Sequence, residues 1–127
     1  MKAESMKEMI IAARAEIFAA KPHDAYEGLQ NGGLLLDVRE AEEVAEAQVP
    51  GALCVPRGLL ESRADPESGS SRPELVRQRG NGRVYVLCAS GARATLAAHT
   101  LTRMGYEASV IEGGMEAWKD ASLPIGR

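Results

Sequence analysis

Short apolar runs alternating with helical patterns constrain this chain more than any other feature. Residues 34–38, 52–55, 83–87 and 108–111 are each four or five residues long and mostly aliphatic, as in strands buried on both faces of a parallel sheet. Segments with apolar residues at helical spacing lie between them. Residues 40–47 set Ala41, Val44 and Ala45 inward, and a short helix is expected over 74–78. Residues 92–104 set Leu96, Ala97, Leu101 and Met104 on one face, with Gly105 closing the helix. Parallel strands need crossover connections, and these are right-handed. The expected fold is therefore α/β, one domain with a central parallel sheet of four to five strands and helices on both faces.

Before the first strand, Met6, Met9, Ile10, Ala13 and Ile17 follow helical spacing and predict an amphipathic helix over residues 5–17. Pro22 opens a second short helix through Tyr26 and Leu29, which Asn31-Gly32-Gly33 ends. After the last strand, Gly113-Gly114 leads into a closing helix that carries Met115 and Trp118. Residues 63–73 collect Asp, Pro, Ser and Gly, the one loop long enough to reach over a site.

Composition excludes several classes of function. With 127 residues, 45% of them hydrophobic and 26% charged, the chain needs no metal or disulfide framework to fold. A net charge of −3 without a block of like charges lacks the electrostatic footprint of a nucleic-acid binder. Its apolar stretches fall far short of the roughly 20 residues that span a bilayer, and the charged N-terminus interrupts any secretory signal, so the expected compartment is the cytoplasm. There the two cysteines, Cys54 and Cys88, are expected to be free thiols.

In parallel sheets reactive groups gather at the carboxyl ends of strands, where Asp37, Pro56, Cys88 and Glu112 all fall. Cys88-Ala89-Ser90-Gly91-Ala92-Arg93 runs from such an end into the start of a helix, whose first backbone N–H groups have no helical acceptor. Gly91 allows the loop to curl so that these donors face the Cys88 sulfur, while the helix dipole and Arg93 add positive potential that favours a thiolate. A buried strand-end cysteine is commonly just a small hydrophobe. The Ser, Gly and Arg that follow here point instead to a nucleophile.

This loop and its neighbours resemble the rhodanese-like sulfurtransferase family over about residues 23–124. Asp37-Val38-Arg39-Glu40 resembles one family motif, and Val49-Pro50-Gly51-Ala52 followed by Val55-Pro56 resembles a second. Cys88, Gly91 and Arg93 resemble the active-site loop, and Gly113-Gly114 with Trp118 is similar to the closing motif. The resemblance implies residues 1–20 as a helical extension and residues 21–127 as the rhodanese-like domain. It further implies that Cys88 accepts a sulfane sulfur as a persulfide, with the amides of Ala89, Ser90, Gly91, Ala92 and Arg93 cradling the outer sulfur. A small donor such as thiosulfate and a thiol, cyanide or protein acceptor follow as partners, with no metal, organic cofactor, nucleic acid or membrane, in a monomer or homodimer. Related cysteine phosphatases set five residues between Cys and Arg; this chain has four, a ring that fits one sulfur better than a phosphate. The same resemblance leaves a persulfide carrier or docking module as an alternative.

Two departures stand out. Many members carry a basic residue where this chain has Ala89, and Gln48-Val49 replaces the usual His-Ile. Arg57, just past a strand end, is a candidate for the missing charge. Asp37 and Arg39 are expected to support the site structurally. Cys54 is expected to be a core thiol, and His23 and His99 lack metal-ligand spacing.

Overall fold

The computed structural model describes residues 1–126. A capping box starts α1 (Met6–Arg14): Glu8 N donates to Ser5 Oγ at 3.1 Å and Ser5 N to Glu8 Oε1 at 3.0 Å. The helix stops at Arg14, three residues before the expected end. Ile17 then turns into the core, and Phe18–Ala20 form an unexpected strand, β1. Three residues carry too little alternation to announce a strand; pairing with the last strand is what makes it one.

The chain continues through α2 (Pro22–Gln30), β2 (Leu34–Asp37), α3 (Ala41–Glu46) and β3 (Leu53–Cys54). A 3-10 turn at Arg57–Leu59 runs into α4 (Leu60–Ala64), followed by α5 (Pro73–Val76), β4 (Arg83–Leu87), α6 (Ala92–Arg103), β5 (Glu107–Ile111) and α7 (Gly114–Asp120). All five strands are parallel, in the order β1-β5-β4-β2-β3, so the expected α/β architecture holds with five strands. β4 is the middle strand. From it the chain moves to β5 on one side, while β2 beside it leads to β3 on the other. This reversal opens a crevice at the carboxyl ends of β2 and β4.

Each face of the sheet has its own core. On one side Leu60, Leu75, Ala94, Ala97, Ala98 and Leu101 pack over Leu36, Val84, Val86 and Val110. On the other, Ala25 and Trp118 pack with Leu35, Leu87 and Ile111. Trp118 is fully buried, donates to Pro124 O at 2.9 Å and meets Tyr26 edge to face at 6.1 Å.

Three expectations about faces and loops are corrected. Ala41 and Ala45 of α3 are exposed and Val44 is only half-buried, because this short helix sits at the carboxyl edge rather than on a sheet face. Leu96 is half-buried, since the small residues Ala94, Ala97 and Ala98 take the sheet-facing side of α6. Residues 65–72 are tied to α4, with Arg72 N on Arg63 O at 2.9 Å and Arg63 Nη1 on Ser70 O at 3.1 Å.

Candidate functional site

Cys88 follows directly on β4, at the carboxyl end of the central strand, and is 1% exposed. The loop turns back so that Gly91 N donates to Cys88 Sγ at 3.0 Å. Gly91 makes this turn at φ +116°, in the left-handed region, and serves as the N-cap of α6. Its carbonyl accepts from Thr95 N at 2.9 Å and from Thr95 Oγ1 at 2.7 Å, which pins the first turn of the helix. Ala92 and Arg93 belong to that turn, and their N–H groups have no helical acceptor. From beneath, Met115 N donates to Cys88 O at 2.8 Å and Glu116 N to Ala89 O at 3.2 Å. The start of α7 thus takes up the carbonyls of Cys88 and Ala89, while the Gly91 amide faces the sulfur.

Arg93 does not point at Cys88. Its Nη1 and Nη2 donate to Glu43 Oε1 and Oε2 at 2.6 and 2.8 Å, a bidentate tie between α6 and α3. That bond and a second hydrogen bond, from Glu40 N, hold the Glu43 carboxyl at about 2 against the cost of its partial burial. Arg93 in turn is raised above the usual arginine range, first by Glu43 and further by the field of Cys88. Its charge therefore acts on the sulfur from a distance. Glu43 escaped the sequence reading; its only signal was its place three residues after Glu40, at the start of a helix.

Asp37 and Arg39 form a buried brace with each other. Asp37 is fully buried and accepts from Arg39 N and Nε at 3.0 Å and from Nη2 at 2.8 Å. Arg39 also donates to Ala47 O at 2.7 Å and Glu43 O at 3.3 Å. The end of β2 is thereby tied to the middle and the C-cap of α3, and through Glu43 to Arg93 beside the Cys88 loop.

Arg57 is directed elsewhere. Its guanidinium bonds Glu61 Oε1 at 3.0 Å and Thr100 Oγ1 at 3.2 Å, on α4 and α6. Cys54 is half-buried rather than core, and lines an apolar groove of about 320 Å³ with Val44 and Pro56. Burial, then Asp37, push its thiol up. The register pairs Asp37 with both Cys54 and Leu87, so β2 separates the two cysteine strands. Two strand spacings, roughly 10 Å, exceed disulfide reach, and both thiols are free. His99 contacts Glu16 at 3.1 Å and His23 is exposed. Among the described residues no three His, Cys, Asp or Glu side chains gather as metal ligands, and no helix is long and apolar enough to cross a membrane.

A five-stranded parallel sheet with a cysteine loop at its central switch point is the architecture of a rhodanese-like domain. The model of that family, the rhodanese-like domain, matches residues 21–121, and the chain belongs to it. Among its relatives, the sulfurtransferase of Allochromatium vinosum is 33% identical over 93 residues, 72% of this chain and 77% of that one. The candidate sulfur carrier protein YrkF of Bacillus subtilis is 35% identical over 85 residues, 66% of this chain but only 40% of YrkF. A solved structure from Rhodopseudomonas palustris, of unknown function and described as a possible tyrosine phosphatase, is 30% identical with a TM-score of 0.89, covering 99% of this chain and 97% of that one.

Proposed function

We propose that the chain is a sulfurtransferase that moves a sulfane sulfur from thiosulfate to a thiol or cyanide through a persulfide on Cys88. The Cys88 thiolate attacks the outer sulfur of thiosulfate, the S–S bond of the donor breaks, and sulfite leaves with the bonding pair. The cysteine then carries a persulfide anion, and an acceptor nucleophile takes the outer sulfur and restores the thiolate. Charge balances at each step, and no cofactor enters. Loop amides stabilise the persulfide, with Gly91 nearest, while Arg93 contributes its field and Asp37 and Arg39 hold the scaffold.

The observation that carries this reading is the buried Cys88 sulfur with the Gly91 amide 3.0 Å away, at the start of α6. The sulfur-transfer names of the relatives support the class of reaction. Two free thiols suit a reducing compartment such as the cytoplasm. Phosphatase chemistry fits less well, because the Arg93 guanidinium that would bind a phosphate is held by both oxygens of Glu43. Likeness to a sulfur carrier favours one second reading, in which Cys88 holds the sulfur for a protein acceptor.

Peptide mass spectrometry after brief incubation with thiosulfate tests the proposal. One extra sulfur is expected on the Cys88 peptide and none on the Cys54 peptide. Cys88→Ser should abolish both the modification and thiocyanate formation from cyanide while leaving the unfolding midpoint near that of the parent. Persulfide without turnover on cyanide or small thiols would favour the carrier. An unmodified Cys88 in folded protein would exclude thiosulfate.

A further inference from the structure

Sulfur transfer from thiosulfate brings a dianion to a buried cysteine, and the oxyanion end of the donor needs a cation. The three arginines that the sequence sets around the loop are occupied: Arg93 by Glu43, Arg39 by Asp37, and Arg57 by Glu61 and Thr100. Arg14, in the last turn of α1, is different. It is exposed and makes no hydrogen bond or ion pair among the described residues. Its Nη2 lies 3.7 Å from the position that a Cβ on Gly91 would occupy. Gly91 is the residue whose amide touches Cys88 Sγ. A second polar group borders the same spot, since Gly113 N lies 3.8 Å from that position.

We infer that Arg14, delivered by a helix that precedes the residues matched by the family model, binds the oxyanion end of the sulfur donor and sets the preference for anionic donors. This rests on the sulfur-transfer reading above. The geometry is direct. A small donor whose sulfane sulfur rests against Sγ lies beside Gly91, and its oxygens extend past that residue to the guanidinium. When Cys88 Sγ takes the outer sulfur, the S–S bond breaks and its electron pair leaves on sulfite; Arg14 stays paired with those oxygens throughout. An interaction kept equally before and during the reaction governs binding more than the chemical step. The charge belongs to α1 because the loop has Ala89 directly after the cysteine. Packing holds it in place: Ala13 is 2% exposed, and α1 lies along α6.

Two measurements decide the matter. In single-turnover persulfidation, Arg14→Ala should raise the half-saturating thiosulfate concentration roughly tenfold while leaving the plateau rate near that of the parent, and Arg14→Lys should restore most of the loss. A merely structural role would lower the plateau and the melting temperature together. In the second, the Gly91 amide resonance of the ¹⁵N-labelled Cys88→Ser protein is titrated with thiosulfate. A saturable shift is expected, and it should be lost when Arg14→Ala is added. If the shift depends on Arg14 but the parent forms no persulfide, the anion site stands and the transfer reading falls. Persulfidation with half-saturation indifferent to Arg14 overturns the inference and leaves the transfer reading intact. Absence of both persulfide and titration removes both.

Discussion

A Cβ added to Gly114 would stand 2.6 Å from Ala89 O and closer still to Cys88 O. These two carbonyls accept from Glu116 N and Met115 N, so α7 can approach the Cys88 loop only because residue 114 has no side chain. Its φ of +57° adds a conformational penalty for any L side chain. Gly114→Ala should therefore cost about 2–4 kcal/mol, read from the urea unfolding midpoint, and should slow persulfide formation by displacing the floor under Cys88. A result within about 0.5 kcal/mol of the parent would mean that the backbone there yields freely. The glycine pair was legible in the sequence as the end of a strand and the start of a helix. That its second member faces the cysteine carbonyls was not, since 25 residues separate Gly114 from Ala89 in the chain.

At the scale of elements, charged side chains join β2 and the neighbouring α3 to α6, some fifty residues further along the chain. β2 ends in the buried Asp37–Arg39 pair, Arg39 holds the middle and the C-cap of α3, and α3 offers Glu43 to Arg93 at the start of α6. Glu43 has its carboxyl lowered from the ordinary 4.5 to about 2. A lowered folded-state value means stability that is present above the unfolded value and is lost as pH falls toward the folded one. The side chains are 34% and 38% exposed, so solvent screening limits the contribution to about 1 kcal/mol or less. Glu43→Gln should reduce stability by that amount at pH 7, and the difference should shrink between pH 4.5 and about 2. Urea midpoints measured across that range check it; a constant difference would show that the charge of Glu43 is not what stabilises the fold. The same variant frees Arg93, so its persulfidation rate reports whether the tie or the arginine alone serves the loop. Their places at a strand end and a helix start, together with the resemblance to family motifs, had marked Asp37, Arg39 and Arg93. Neither had marked Glu43, because one glutamate among several on an exposed helix carries no distinguishing pattern.

At the scale of the whole molecule, the N-terminal segment is part of the sheet. β1 pairs with β5 at Phe18, Ala19 and Ala20, Ile17 packs on the core, and Phe18 lies under the Arg83 guanidinium at 5.3 Å. A chain beginning at residue 21 should lose α1 and β1, expose the edge of β5 and uncover apolar surface on α6. Its unfolding midpoint should fall, and it should self-associate on size-exclusion chromatography. Unchanged stability and a monomeric profile would show that the segment is an appendage.

Local chemistry determined much of this protein in the sequence itself. Aliphatic runs of four or five residues specify buried parallel strands, and a cysteine between the strongest strand and the strongest helix stands at helix-start amides wherever the rest of the chain goes. Those features depend on neighbours in sequence. The pairing of Arg93 with Glu43, the strand at 18–20, the face of α3 and the position of Arg14 depend on what folding brings alongside. Only the tertiary structure decided them, because a side chain's hydrogen-bond partner and the pairing of a three-residue strand are set across the sheet, where sequence distance carries no signal.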